Sequence, residues 1–500
     1  MGRRAIIVGG GHNGLTCAAY LARAGVAVTV LERRPVLGGA CVTEELWPGY
    51  RVSRGAYVLS LLRPVIAEEL ELAKHGLRLL PRVPASITPL PDGRALVLGN
   101  EDPREDFAQI ERFSRADAEA YRRYEAWLEG IAGALEPLLD EPGPTRRAAL
   151  VRAGLGLARG PGLRSSLELL FGSARALLER WFESEPLRST LATDAIIGAF
   201  APPSARGTGY VLFHHVMGLL GGRRGVWAYV AGGMGALAES LAAAARAAGA
   251  EIRTGAEAKS ILTRGGRACG VTLVTGETLE ADLVVSNADP ARTAQWLGDA
   301  RALPQADYRS PVVKLNLALR ELPRFRAHGR DLPLTGTIHL GPTDLAGIER
   351  AYAEAATGRV PEVPIVELTI PSTVDPSLAP PGRHVASIFA QYAPALPADD
   401  ARWPELRESF RERALRTVES LAPGFTASIE HMEVLAAPDL ERVFGLTGGN
   451  IFHGAMHPGR LLRRRARTRV PGLWLCGAST FPGGGVMGAP GRKAALEILA

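Results

Sequence analysis

Ala5-Ile6-Ile7-Val8-Gly9-Gly10-Gly11-His12-Asn13-Gly14 is the stretch whose reading decides the fold. Four consecutive apolar residues predict a strand buried on both faces, as in a parallel sheet. Behind them Gly9, Gly11 and Gly14 form the pattern GxGxxG. Gly9 permits a tight turn, Gly11 lets the backbone approach a pyrophosphate, and Gly14 lets the next helix pack close to the strand. His12 and Asn13 fall in the first turn of that helix, whose free amides and dipole face the phosphates. A second strand is expected at Val28 to Leu31. Glu32 closes it, followed by Arg33; a carboxylate there accepts hydrogen bonds from a ribose diol and repels a 2′-phosphate. Strand, turn, helix, strand and acid in this order make the motif specific where GxGxxG alone is weak.

The cofactor is narrowed by what lies further out. Gly38-Gly39-Ala40 lets the chain run beside a cofactor that extends past its adenosine. Near the C-terminus, Pro471 to Leu475 reads as a strand opening at Cys476-Gly477-Ala478. Pro482-Gly483-Gly484-Gly485-Val486-Met487-Gly488 then leads into a helix whose N-terminus can stabilise negative charge on a reduced ring. A nicotinamide enzyme has no need of this closing segment, so FAD is the expected cofactor. The expected fold class is α/β: a Rossmann-like FAD-binding domain of discontinuous segments (1–100, 205–290 and 461–500) with an inserted α+β substrate domain (101–204 and 291–460).

Composition agrees. Five hundred residues exceed what one hydrophobic core usually fills. Apolar residues at 46% and charged residues at 22% are the balance of an ordinary globular chain, and 57 glycines suit turns that approach a ligand closely. The net charge of +6 is carried by arginine, since lysine occurs only at 74, 259, 314 and 493. No nucleic-acid-binding motif accompanies it. Cys17, Cys41, Cys269 and Cys476 form no CxxC pair, which excludes a dithiol redox centre and fits a reducing compartment. A strand starting at Ala5 leaves no room for a secretory leader, Ile6 stands where a myristoylation motif needs Ser or Thr, and no apolar run reaches about 18 residues. A cytoplasmic location is expected. Arg146 to Trp181, where Arg alternates with Leu and Ala, reads either as an amphipathic cover over a substrate cavity or as a helix on a membrane surface, so peripheral membrane contact stays open. The arginines at 460, 463, 464, 465, 467 and 469 read as a solvated loop.

Longer strings carry a family resemblance. They are Gly9-Gly-Gly-His-Asn-Gly-Leu15, Ser53-Arg-Gly-Ala-Tyr57 with Leu59-Ser-Leu-Leu-Arg-Pro64, and Gly209-Tyr-Val-Leu-Phe-His-His-Val-Met-Gly218. Gly232-Gly-Met-Gly-Ala-Leu237, Gly448-Gly-Asn-Ile-Phe-His-Gly454 and the segment Gly477 to Gly488 complete the set. On these the chain resembles the phytoene-desaturase-related flavoproteins of the flavin amine oxidase superfamily, and within them the pyridine nucleotide-disulfide oxidoreductase domain-containing protein 2 subfamily. The resemblance implies FAD and an inserted substrate domain, and places Ala258 where the backbone meets the adenine. Phe481 departs from the group, whose desaturases often have His before the C-terminal Pro-Gly.

Ser310 to Leu319 predicts a strand with Val313, Leu315, Leu317 and Leu319 on one face and Lys314 and Asn316 on the other. A lysine in mid-strand is costly unless water or a partner meets it. The resemblance implies that Lys314 holds a water against the flavin; a structural lysine paired with a carboxylate is the alternative. His214, His215 and His453 are the candidate proton carriers near neutral pH, and Tyr57 is a candidate for the flavin edge. No metal-ligand spacing appears. The function expected is an FAD-dependent oxidoreductase, dehydrogenase or oxidase, acting on a small, largely apolar substrate. A reduced-flavin isomerase or saturase, and a non-catalytic FAD-stabilised interaction protein, remain open.

Overall fold

The computed structural model describes residues 2–141, 146–303, 306–456, 459 and 465–500. Its first sheet is parallel, in the order Glu251–Arg253, Ala27–Leu31, Arg4–Val8, Leu283–Ser286, Leu473–Leu475. Alternation along Arg4–Val8 explains its two packed faces. Ala5 and Ile7 join the core formed with helices His12–Arg23, Gly235–Ala247 and Ala489–Leu499. Ile6 and Val8 point the other way, onto a three-stranded meander, Ala258–Arg264, Arg267–Leu273 and Thr278–Glu280. The cofactor-type sheet is thus assembled from both ends of the chain and its middle, as the sequence predicts.

The second sheet has seven strands in the order Ile429–Leu435, Val313–Leu319, His384–Gln391, Ile365–Thr369, Thr337–Leu340, Ser86–Pro89, Ala95–Leu98. The apolar face of Val313–Leu319 packs against helix Trp403–Glu419 through Phe410, Ala414 and Val418. Two domain boundaries need correction. Ser86–Pro89 and Ala95–Leu98 belong to this second sheet, because Ser86 and Ile87 pair in parallel with Thr337 and Ile338, so the first cofactor segment stops short of residue 86 and not at 100. Helix Thr208–Val216 also leaves the cofactor domain: Leu212 and Phe213 enter a helical core built on Arg115–Asp140, Ala174–Trp181 and Glu185–Thr193. That helical layer covers the face of the second sheet that carries Lys314.

Within the layer, helix Arg115–Asp140 starts where the Ser114 hydroxyl accepts the Asp117 amide at 3.1 Å. Arg146–Arg159 and Leu163–Phe171 follow as separate helices. Of the arginine-rich loop, Arg465, Arg467 and Arg469 are exposed; Arg460, Arg463 and Arg464 lie outside the described residues.

Candidate functional site

The turn after the first strand is built as a cradle. Gly9, at φ 105°, adopts a backbone that L side chains rarely take. A Cβ at Gly14 would lie 2.2 Å from the Gly9 carbonyl oxygen, and one at Gly11 would lie 2.8 Å from the Asn287 amide nitrogen. Asn287, just past strand Leu283–Ser286, donates to the Gly9 carbonyl at 3.2 Å and fixes the turn. The Glu32 carboxylate is set at the cradle's edge by two backbone amides, Gly10 at 2.8 Å and Arg34 at 2.9 Å. In the first helical turn His12 Nε2 and Asn13 Oδ1 are buried with no hydrogen-bond partner among the described residues. Burial pushes His12 down to about 4, helped by His453, so this ring is neutral. Buried polar atoms without partners are uncommon; both residues line the cavity, where a phosphate oxygen would accept from a His12 Nε2–H and a ligand hydroxyl would donate to Asn13 Oδ1.

That cavity measures 1360 Å³, above the roughly 300–1,000 Å³ typical of small-molecule sites. It runs from Gly9, Gly11, His12, Asn13, Glu32, Arg33, Gly38, Gly39, Ala40 and Ala258, past Ala478 and Val486, to Tyr57 and Lys314. Val486 (φ 60°) and His453 (φ 56°) both line it with left-handed backbones, the kind of local strain that clusters at functional sites.

Five candidates from the sequence stand behind the wall and not on it. Gly14 keeps the helix against the strand. Gly477 packs on the strand end, where a Cβ would lie 2.5 Å from the Asn287 carbonyl oxygen. Met487 turns into a small core with Leu61 and Ala489, and Gly488 is the N-cap of helix Ala489–Leu499. His214 is the clearest correction. It is wholly buried and its Nε2 donates to the Gly484 carbonyl at 2.8 Å, so it positions the closing segment and does not reach the cavity. His215, one residue on, does line the cavity; its Nδ1–H faces the carbonyls of Val211 and Asp194 at 2.9 and 3.0 Å. Burial lowers it to about 4.

At the far end the second sheet lays one row of side chains across the cavity. Lys314 pairs with Phe389, Phe389 with Glu367, and Glu367 with His339. Direct cross-strand partners share a face, and all four line the cavity. Lys314 is 2% exposed. Its ammonium donates to Asn316 Oδ1 at 3.0 Å and to the Ser387 hydroxyl, and sits 4.9 Å from the centre of the Tyr57 ring. Among the described residues no carboxylate forms an ion pair with it, so the reading of a lysine paired with a carboxylate is not the arrangement seen. Burial brings Lys314 down to about 7, with Glu433 opposing. Tyr57 donates to Glu367 Oε2 at 3.0 Å, while Glu367 Oε1 has no partner among the described residues. Burial, then the nearby Asp194, lifts Glu367 to about 8; desolvation lifts Asp194 itself to about 7. His339, beside the Thr193 hydroxyl at 3.4 Å, is held to about 3 by burial and then by Arg82. Groups poised near neutrality in a cavity are a mark of acid–base function.

Glu367, His339, Asp194, Arg82 and Asn287 are absent from the sequence reading. Glu367 carried a signal, since Ile365-Val366-Glu367-Leu368-Thr369 places an acid inside an apolar strand just as Lys314 is placed. Asp194 carried none.

Comparison with known proteins agrees with this geometry. The family profile described as "Flavin containing amine oxidoreductase" matches residues 14–499. The "pyridine nucleotide-disulfide oxidoreductase domain-containing protein 2" of Rattus norvegicus is 44% identical over 541 aligned positions, covering 99% of this chain and 93% of that protein. Hydroxyneurosporene desaturase of Cereibacter sphaeroides is 31% identical, covering 99% and 97%. Among solved structures, an oxidoreductase from Methanosarcina mazei shares the fold with a TM-score of 0.63 at 17% identity, covering 99% of each chain. With a cradle that fits a dinucleotide and a match spanning nearly the whole sequence, this chain belongs to the flavin-containing amine oxidoreductase family and its cofactor is FAD.

Proposed function

We propose that the protein oxidises a small organic substrate, with hydride passing to non-covalently held FAD. The observation that carries this reading is the single cavity joining the Glu32 cradle to the row Lys314–Phe389–Glu367–His339. FAD, when bound, supplies the two-electron acceptor. Glu32 would hold the ribose, and His12, Asn13 and the Gly11 backbone the phosphates. Val312, Phe389, Ile451, Phe452 and Trp227 give the substrate end an apolar wall that excludes water. The proton released with the hydride has an acceptor at hand in Lys314 Nζ, which burial brings down to about 7. Glu367, lifted to about 8 and held by the Tyr57 hydroxyl at Oε2, keeps its own proton at neutral pH and can donate a hydrogen bond to a polar group of the substrate. The substrate we infer has an apolar body and one polar end that meets Glu367, Asp194 and Arg82.

Anaerobic mixing with a panel of metabolites tests the reading. Bleaching of the flavin by one compound, with an oxidised product formed in equal amount, supports it; a flavin that no compound reduces, and that in its reduced state shifts or saturates a double bond, speaks for the isomerase or saturase. Glu32→Ala is expected to weaken FAD binding by roughly 1–3 kcal/mol, the range for charge-assisted hydrogen bonds, measured by flavin fluorescence titration. Acid precipitation should release all the flavin into the supernatant.

A further inference from the structure

Among the described residues nine large apolar side chains are exposed, and five of them fall within residues 150–167. Leu150, Val151, Leu155, Leu163 and Leu167 are between 45% and 62% exposed. They sit on the consecutive helices Arg146–Arg159 and Leu163–Phe171. The first of these is apolar on two sides. Ala149, Ala153 and Leu157 are buried, with Gly156 close against Ala134 of helix Arg115–Asp140. Leu150, Val151 and Leu155 lie on the outer side, exposed among the described residues. A helix apolar around most of its girth is normally covered by something, and so large a share of exposed apolar surface in one segment marks a contact site.

Charge says what covers it. Residues 146–171 contain five arginines and a single acid, Glu168. Arg152 pairs with Glu141 and Arg164 with Glu168, while Arg147 and Arg159 form no ion pair among the described residues. A two-fold contact with a second copy would press like charges together. An anionic bilayer surface accepts both features, since arginine heads reach phosphates while leucine and valine enter the acyl boundary. No helix among the described residues is long and apolar enough to cross a membrane, so contact is at the surface. We propose that residues 147–167 dock this protein on an anionic lipid surface. The helix that supports this face, Arg115–Asp140, also lines the cavity with Tyr124 and Leu128, so the docked surface lies one helix away from the substrate space.

The test is co-sedimentation of FAD-loaded protein with vesicles of phosphatidylcholine, alone or with 30% phosphatidylglycerol (about the anionic content that gives a strong surface potential). Binding is expected to the anionic vesicles only, and to fall several-fold when salt is raised from low to high. The triple variant Val151→Ser/Leu155→Ser/Leu163→Ser, and separately Arg147→Gln/Arg159→Gln, should each lose most of that binding while flavin content and thermal midpoint stay as in the wild type. No binding to anionic vesicles, or equal binding by both variants, overturns the proposal. So does a wild-type dimer that the triple variant turns into monomer without any vesicle binding, because the face then belongs to a second copy.

Discussion

Glu367→Gln is expected to flatten the fall in stability between pH 5 and pH 8 and to leave the variant more stable than the wild type at pH 8. Glu367 is 4% exposed, and burial lifts it from 4.5 to about 8 in the folded chain. The unfolded chain releases that proton near 4.5. Over the window from 4.5 to 8 the folded state therefore binds the extra proton. Its contribution to stability is full below 4.5 and is lost as the pH rises through 8. A shift of this size corresponds to on the order of 4 kcal/mol across the whole window. Glutamine keeps an acceptor for the Tyr57 hydroxyl and does not titrate. Two neighbours shape the residue of the curve. Asp194, raised to about 7 by desolvation, acts in the same direction and retains part of the slope. Lys314, lowered to about 7, acts oppositely, because the unfolded chain keeps its proton up to about 10.5 and stability rises with pH between those values. Urea unfolding of both proteins at pH 5 and pH 8, in the same flavin state, measures the difference. An unchanged slope in the variant would mean that Glu367 is ionised in the folded protein at neutral pH.

Lys314→Met is expected to keep its fold and its FAD while flavin reduction or reoxidation slows by about a hundredfold, roughly 2.7 kcal/mol of barrier. Methionine matches the length of lysine and removes the titrating nitrogen. The nitrogen lies in the wall of the cavity, held by Asn316 and Ser387 over the Tyr57 ring, with no ion pair to a carboxylate among the described residues. A group near pH 7 in such a place both takes and returns a proton readily. Reoxidation can be followed without knowing the substrate, by photoreducing the bound flavin and mixing it with oxygen. In the wild type the affected rate should show a limb near pH 7, and in the variant that limb should be gone. Loss of flavin or of thermal stability with unchanged rates per bound flavin would reduce Lys314 to a structural role.

The parts of the site that could be read beforehand are those written in short periods. Ala5 to Gly14 declares strand, turn and helix within ten residues, and Glu32 follows at the end of the next strand. Lys314 was legible because period-two alternation puts Leu315 and Leu317 on the opposite face. Glu367 bears the same mark and went unread, since one acid in a five-residue strand is a weak signal without its neighbours. Only sheet register joins it to Lys314 and His339. His214 and His215 show a limit of another kind: adjacent in sequence, they differ by about 100° around a helix, so one meets the Gly484 carbonyl and the other the cavity. The pairing of residues 86–87 with 337–338 had no local trace at all, because the two strands are separated by half the chain.

The order of strands in the parallel sheet bears on how the protein is made. One of its two edge strands, Leu473–Leu475, is also the last of the five to leave the ribosome, and helix Ala489–Leu499, where Gly491 packs against the Asn13 carbonyl, comes later still. Until those residues emerge, the nascent chain has a nucleotide cradle with one wall absent, and the aromatic and aliphatic lining of the cavity faces water or a chaperone. Contacts this distant in sequence form late. Flavin capture should therefore follow translation, and a shortage of flavin would be felt as a shortage of folded protein.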